Sequence, residues 1–163
     1  MGDSDRTKLC KWTRPTRPVL EPSEIPRELQ EVPRWVCWAY TWSLAKRKWD
    51  KPPRQVDGRL ASSTDVTTWC SFASATEAVN RAAPRFDGLG HVLMGDGLVA
   101  VDLDRCIAEG WADAVRFGDF SGVETWARAI VSDLDSYTEL SPSEHGLRIF
   151  VRASLPPKSG NRK

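Results

Sequence analysis

The chain has 163 residues, of which 40% are hydrophobic and 28% are charged, and its formal net charge is +1. This length fits one domain with a core, and the near-neutral charge means that composition alone does not indicate a nucleic-acid-binding protein. The four cysteines lack CxxC spacing, which excludes a zinc site of that type and is typical of free thiols in a reducing compartment. There is no apolar signal segment and no apolar run of about 20 residues, so we expect a cytoplasmic protein without a membrane span.

The first part of the chain is predicted to be a flexible basic arm followed by the start of the domain. Residues 1–22 are rich in arginine and in proline, which interrupts regular elements. The stretch SEIPRELQEV predicts a short helix capped by Ser23, and RWVCWAYTW, rich in aromatic and β-branched residues, predicts a strand. We expect the domain to span residues 23–154 and a basic tail to span residues 155–163.

A long polar connection, KRKWDKPPRQVDGRLASSTD, follows the predicted strand. Its adjacent prolines and its Asp57-Gly58 pair predict a segment without regular structure, and a loop of this length is usually functional or mobile. A basic loop with an aromatic residue suits contact with a single-stranded template, although solvated surface is the commoner role of such loops. The candidate nucleic-acid-binding residues in this loop are Lys46, Lys48, Trp49, Lys51 and Arg54.

The middle and end of the chain are predicted to alternate between helices and strands. VTTWCSFASATEAVNRAA predicts a helix capped by Asp65 or Thr67, and we expect the aromatic strand to pack against its Trp69 rather than stack on bases. The runs HVLM and LVAVDLD flank the turn sequence GDG and predict a β-hairpin. RCIAEGWADAV and SGVETWARAIVSDL predict helices, while SYTEL and LRIFVRA predict strands joined by the turn SPSEHG.

Two carboxylates, Asp102 and Asp104, end the apolar run VAVDLD. Because side chains alternate along a strand, both carboxylates are predicted to point the same way, with Cα atoms ~6.6 Å apart. Such neighbours repel unless a cation lies between them, and a pair of Mg²⁺ or Mn²⁺ ions held by carboxylates supports nucleotidyl transfer. Two other interpretations stay open: Asp104 as a helix N-cap beside a solvated Asp102, or the metal-diphosphate site of a sugar-nucleotide transferase.

The turn SPSEHG and the strand after it are the second candidate feature. Such a turn can present backbone N–H groups and hydroxyls to a phosphate, although most turns of this composition are only turns. An arginine two residues after the glycine shares a face with it and can hold a triphosphate. The order of these features predicts a small mixed sheet backed by helices, with metal and triphosphate facing each other. The candidate nucleotide-binding residues are Ser141, Ser143, His145, Gly146 and Arg148.

These motifs resemble those of a known family. VAVDLD resembles the first motif of the archaeo-eukaryotic primase superfamily, and SPSEHGLRIFV resembles its second motif. The order of PRWVCW, KWDKPPR, ASSTD and GDGLVAVDLD is similar to that in N-terminal primase-polymerase domains of phage and plasmid replication proteins, over roughly Pro33 to Arg152. The resemblance implies an α+β fold with a small, mixed, RRM-like sheet packed by helices.

The resemblance also implies a function and roles for particular residues. Asp102 and Asp104 would be catalytic ligands of Mg²⁺ or Mn²⁺, and Ser143, Gly146 and Arg148 would lie against the triphosphate. The implied partners are a single-stranded DNA template, nucleoside triphosphates and a replicative helicase module. The implied activity is that of a primase and DNA polymerase in phage or plasmid DNA replication.

Two departures from the family pattern bear on catalysis. Arg148 stands where the second motif usually has a histidine, and arginine can neutralise a phosphate but cannot shuttle a proton near neutral pH. The third motif of the family is a carboxylate on a later strand, whereas no acidic residue follows Glu144. We therefore expect a fold and a site that are incomplete at the C-terminus, in a fragment or divergent form with weak or absent polymerase activity. The alternative is a catalytically inactive module that binds nucleotide or single-stranded DNA.

Overall fold

A computed structural model describes residues 13–81 and 85–154 of the chain. The chain divides into two compact units, Met1–Val92 and Leu93–Lys163. Both contain helices and strands, so the predicted α+β class is confirmed. Where the sequence predicts one mixed sheet, the described residues form three small sheets whose pairings are all antiparallel. None of the helices described is long and apolar enough to cross a membrane.

The helices and strands of the first unit are, in chain order, α1 (Arg27–Gln30), β1 (Trp35–Trp38), β2 (Thr41–Ser43), β3 (Lys48–Asp50), β4 (Pro53–Arg54), α2 (Phe72–Val79) and β5 (Gly88–His91). The strands form a three-stranded sheet of order β4-β1-β5 and a separate hairpin of β2 and β3. All four side chains of β1 are buried, which agrees with its central position.

Close packing around Trp38 joins β1 to β5. A Cβ atom at Gly88 would lie 2.5 Å from Cζ2 of Trp38, so only glycine leaves room for this indole. The indole N–H of Trp38 donates to the carbonyl of Leu89 at 2.9 Å, and that of Trp35 donates to the carbonyl of Leu29 at 3.0 Å. Trp35 and Trp38 are therefore part of the core, as the sequence predicts for the aromatic strand, whereas Tyr40 and Trp42 are only half-buried and Trp69 lies outside the helix.

The aromatic strand and the polar connection after it differ from their predictions. The strand is interrupted after Trp38, and its second part, β2, forms a hairpin with β3. Trp42 and Trp49 are cross-strand partners with ring centroids 5.6 Å apart, a pairing that stabilises the hairpin. Arg47, with a φ of 50°, helps to turn the chain back. The predicted absence of regular structure is therefore wrong for β3 and β4.

The predicted helix after Asp65 is divided in two. Asp65 caps a single 3-10 turn, Val66–Thr68, by accepting from the N–H of Thr67, and Ser71 caps α2 by accepting from the N–H of Ser74. Trp69 lies between them and donates its indole N–H to the carbonyl of Ser62 at 2.6 Å. The carboxylate of Asp65 and the hydroxyl of Ser71 thus each start a separate element.

The described part of the predicted arm contacts the first unit. Arg14 donates to both carboxylate oxygens of the buried Asp87, at 2.7 and 2.8 Å, and the N–H of Tyr40 donates to the same carboxylate at 2.7 Å. Arg17 donates to the carbonyl of Val79 at 2.9 Å. Residues 13–22 are thus anchored at two arginines, while residues 1–12 and the predicted tail of 155–163 lie outside the described residues.

The helices and strands of the second unit are β6 (Leu98–Leu103), α3 (Ala112–Arg116), α4 (Thr125–Leu134), β7 (Thr138–Leu140) and β8 (Leu147–Arg152). The strands form an antiparallel sheet of order β6-β8-β7, against which the two helices pack. Its buried core consists of Leu103, Cys106, Ile107, Val115, Val123, Ala127, Leu147 and Ile149.

The predicted hairpin around the GDG turn is wrong. LVAVDLD contains β6, whereas β5 ends at His91, the first residue of HVLM, and the two strands have different partners: β5 pairs with β1 and β6 pairs with β8. Gly95 and Gly97 adopt positive φ values of 72° and 90°, so the chain does turn at this point. A local turn signal cannot specify which more distant strand each apolar run will pair with.

Candidate functional site

The two aspartates lie at the end of β6. Asp102 is the exposed residue before the buried Leu103, and Asp104 follows the last residue of the strand. The strand ends there because Asp104 and Arg105 form a turn in which Arg105 has a φ of 54°. Burial of Leu103 in the core therefore fixes the end of β6 and leaves both neighbouring carboxylates exposed.

The Ser/Gly turn meets this same end of β6. A Cβ atom at Gly146 would lie 2.6 Å from the carbonyl oxygen of Leu103 and 3.5 Å from the Cα atom of Asp104. The register, in which Leu103 pairs with Leu147, produces this close approach. The candidate carboxylates and the candidate phosphate-binding turn are thus on neighbouring strands, as the sequence predicts.

Hydrogen bonds within the turn give it a defined shape. The N–H of Ser141 donates to the carbonyl of Gly146 at 2.9 Å, and the N–H of Glu144 donates to the carbonyl of Ser141 at 2.9 Å. The hydroxyls of Ser141 and Ser143 are 2.8 Å apart and hydrogen-bonded. His145 is exposed, and its carbonyl accepts from the N–H of Ile107 at 3.2 Å. The structure therefore brings all four candidate residues of the turn together beside β6.

Arg148 lies on the middle strand of the sheet, between a carboxylate on each of the two outer strands. It is the register partner of Asp102 on β6 and of Glu139 on β7. Its Nε donates to Oδ1 of Asp102 at 2.7 Å, and its Nη1 is 3.8 Å from Oε1 of Glu139. The guanidinium therefore already supplies positive charge at Asp102.

Glu139 is a residue of this site that the motif patterns do not identify. Burial raises its pKa, the nearby Asp102 adds to this effect, and Arg148 and a hydrogen bond from Tyr137 oppose it. The phenol of Tyr137 donates to Oε2 of Glu139 at 3.3 Å. The signal in the sequence is its position two residues before Ser141, which antiparallel pairing across the turn places opposite Arg148.

The donor chemistry at the end of β6 fits a hard divalent cation. Carboxylate oxygens are the ligands that Mg²⁺ and Mn²⁺ prefer. The ion pair with Arg148 shows that the carboxylate of Asp102 has a cation beside it in this structure. Within residues 13–81 and 85–154, however, no three His, Cys, Asp or Glu side chains are grouped so that they could hold a metal ion. The two aspartates are thus candidate ligands that form only part of a coordination shell.

The predicted nucleic-acid-binding residues lie in the first unit, on and beside the β2–β3 hairpin. Lys46 and Lys48 approach the carboxylate of Asp50 at 2.8 and 3.9 Å. Trp49 is half-buried against Trp42 rather than exposed, because the hairpin pairs the two rings. The hairpin thus combines a basic turn with a tryptophan pair.

The other two basic candidates contact the sheet of the first unit. The Nζ of Lys51 lies 5.9 Å from the ring centroid of Trp38, a cation–π distance. Arg54 donates to the carbonyl of Gly58 at 3.0 Å and to the hydroxyl of Thr41 at 3.3 Å. These contacts give Arg54 a role in the structure of the loop.

The sequence of the chain is similar to that of a known phage protein. No family model matches the chain. The chain is similar to the DNA primase-polymerase of Nitratiruptor phage NrS-1, with 32% identity over 136 residues that cover 82% of this chain. The chain spans 17% of the length of that relative. The similarity supports a primase-polymerase family for this chain and agrees with the resemblance of its motifs.

Proposed function

We propose that the chain carries a nucleotidyl-transfer site of the archaeo-eukaryotic primase type, which adds nucleotides from a dNTP or NTP to a primer or to an initiating nucleotide. The observation that carries this proposal is the contact of Gly146 with the Leu103–Asp104 end of β6. Candidate metal ligands and a candidate phosphate-binding turn thereby share one corner of the sheet. The similarity to a phage primase-polymerase supports the same class of reaction.

Asp102 and Asp104 would hold Mg²⁺ or Mn²⁺ through their carboxylate oxygens. Such ions, when bound as a pair, stabilise the attacking oxygen and the leaving pyrophosphate oxygen. Glu139 is a further carboxylate on the same row of side chains as Asp102, but no three such side chains among the described residues are grouped closely enough to hold one metal ion together. The negative charge of Asp102 and Asp104 itself favours a cation at the end of β6.

The turn and β8 would bind the triphosphate. The hydroxyls of Ser141 and Ser143 can donate to phosphate oxygens, and His145 is an exposed further donor. The missing side chain at Gly146 leaves room for the carbonyl oxygen of Leu103 and so lets the turn lie against the end of β6. Arg148 supplies the charge that neutralises a phosphate, but it does not move a proton near neutral pH.

The template and further partners belong to the same proposal. A single-stranded DNA template would contact the basic turn of the β2–β3 hairpin and its flanks, where cations attract phosphates and aromatic rings stack on bases. The residues concerned are Lys46, Lys48, Trp49, Lys51 and Arg54. A replicative helicase module acting on a phage or plasmid replicon would be the functional partner.

A second candidate function is a module that binds nucleotide or single-stranded DNA without catalysis. It is favoured by the absence of any three-residue metal-binding group among the described side chains. The charge of Asp102 is also balanced within the protein by Arg148. This alternative predicts binding that survives loss of both aspartates and falls steeply with salt.

The test is incorporation of labelled dNTP on primed single-stranded DNA with Mg²⁺ or Mn²⁺. It uses the full parent protein if the chain is a fragment of one, so that any further carboxylate of the site is present. We expect Asp102→Asn to lower the rate by more than about 100-fold, because even the outer partners of a metal site contribute about 10–100-fold. The matched control is Asp133→Asn, an exposed carboxylate on α4, which should retain the activity. An Asp102→Asn variant that incorporates dNTP like the unaltered protein would refute the proposed site. Wild-type protein that binds dNTP and DNA but incorporates nothing would favour the binding module.

A further inference from the structure

Arg148 occupies the position at Asp102 that a bound cation would require. Its Nε is 2.7 Å from Oδ1 of Asp102, so the guanidinium already uses one of the oxygens of this carboxylate. A divalent ion that binds the same oxygen must displace or share this hydrogen bond. The two cations therefore compete for Asp102.

The geometry permits the guanidinium to leave Asp102 without a change in the fold. The backbone of Arg148 is fixed by pairing with β6 on one side and with β7 on the other. About one third of its side chain is exposed, as is more than half of that of Asp102, so the long arginine side chain has solvent to move into. Gly146, two residues before Arg148 in the chain, belongs to the turn that offers hydroxyls to a phosphate.

We propose that Arg148 is a resident counterion of Asp102 that is exchanged for a divalent metal when a nucleoside triphosphate binds. This inference rests on the proposed function, and it adds a mechanism that couples the two ligands. The metal alone binds weakly, because it must displace the guanidinium and leave it with only the more distant carboxylate of Glu139. The triphosphate offers the displaced guanidinium a new anionic partner, so each ligand strengthens the binding of the other to the same extent.

The experiment measures Mn²⁺ binding, by the electron paramagnetic resonance signal of free Mn²⁺, with and without ddATP, which carries a triphosphate but cannot be extended. The Mn²⁺ that ddATP itself binds is measured without protein and subtracted. Without nucleotide, we expect Arg148→Gln to bind Mn²⁺ about 5–150-fold more tightly than wild type, the usual range of a coupling between two sites. Addition of ddATP should tighten Mn²⁺ binding by wild type in the same range and should change that of Arg148→Gln little.

Three further variants serve as controls for the effect of Arg148→Gln on Mn²⁺ binding. Arg148→Lys keeps the positive charge and should retain weak Mn²⁺ binding, which excludes a general effect of substitution at this position. Arg152→Gln removes an arginine from the far end of β8 and should bind Mn²⁺ like wild type. Asp102→Asn should bind Mn²⁺ poorly, both alone and in combination with Arg148→Gln.

Equal Mn²⁺ affinity of wild type and Arg148→Gln, with loss of binding in Asp102→Asn, would overturn the exchange and leave the proposed function standing. Absence of Mn²⁺ binding by wild type and by Arg148→Gln, both with ddATP, would overturn the exchange and the proposed metal site together. Tight Mn²⁺ binding by Arg148→Gln that requires Asp102 and is insensitive to ddATP would support the exchange.

Discussion

Gly146 is the residue at which a single added carbon tests the geometry of the candidate site. In Gly146→Ala the new Cβ would lie 2.6 Å from the carbonyl oxygen of Leu103, whereas ordinary contacts begin at 3.4 Å. This oxygen belongs to the backbone of β6, so the strand or the turn has to move. Overpacking of this kind costs about 1–3 kcal/mol of the free energy of unfolding.

The displacement in Gly146→Ala should also reach Asp104, whose Cα atom lies 3.5 Å from the position of the new carbon. We therefore expect weaker Mn²⁺ binding in addition to the loss of stability. Urea denaturation measures the stability, and the resonance signal of free Mn²⁺ measures the binding. The control is Ser143→Ala in the same turn, which adds no atom near β6 and should cost no more than about 1 kcal/mol. A Gly146→Ala variant with the stability and Mn²⁺ affinity of wild type would show that the turn and β6 are not in contact.

Two further predictions concern ion pairs and caps away from the site. Arg14→Met should lower the free energy of unfolding by about 1.5–3 kcal/mol in urea denaturation, because it removes charged hydrogen bonds to the buried Asp87. The control Arg27→Met breaks only an exposed pair with Glu31 and should cost less than about 0.5 kcal/mol. Equal costs of the two substitutions would contradict anchoring of the N-terminal segment. Asp119 caps the 3-10 turn Phe120–Gly122 by accepting from the N–H of Ser121 at 2.9 Å. Hydrogen bonds from Ser121 lower the pKa of Asp119 from its ordinary value of 3.8, so the stabilisation it gives is present above that pH and lost as the pH falls through the lowered pKa. Asp119→Ala should therefore melt at a lower temperature than wild type near neutral pH and at nearly the same temperature at about pH 2; a difference that persists in acid would refute this cap.

Local signals in the sequence predict the strands and turns of the second unit well. SYTEL, SPSEHG and LRIFVRA correspond to β7, the turn and β8, since each has its own hydrophobic alternation or turn residues. The strand pairing of LVAVDLD is not predicted, because the choice between a neighbour across GDG and the distant β8 depends on packing of the whole unit. Similarly, the prolines of the polar connection predict irregular structure and give no indication of β3, which forms because Trp49 pairs with Trp42.

Residue spacing likewise predicts only the part of the candidate site that is local in the sequence. The spacing of Asp102 and Asp104 on one apolar run is visible in the sequence, and so is the turn that meets them. The ion pair between Asp102 and Arg148 joins residues 46 positions apart and exists only once the register of β6 and β8 is set. Glu139 enters the site by the register of β7 with β8, which no motif in the sequence states.

The row of Asp102, Arg148 and Glu139 connects folding with ligand binding. Two carboxylates on the outer strands of a three-stranded sheet repel each other, and a cation on the middle strand offsets this repulsion in the chain without ligands. On the exchange proposed above, Asp102 would bind a divalent metal only if Arg148 gave up its contact with this carboxylate. Arginine in this position would then lower the affinity of the site for the metal alone, and a bound triphosphate would restore this affinity by giving the arginine a second partner.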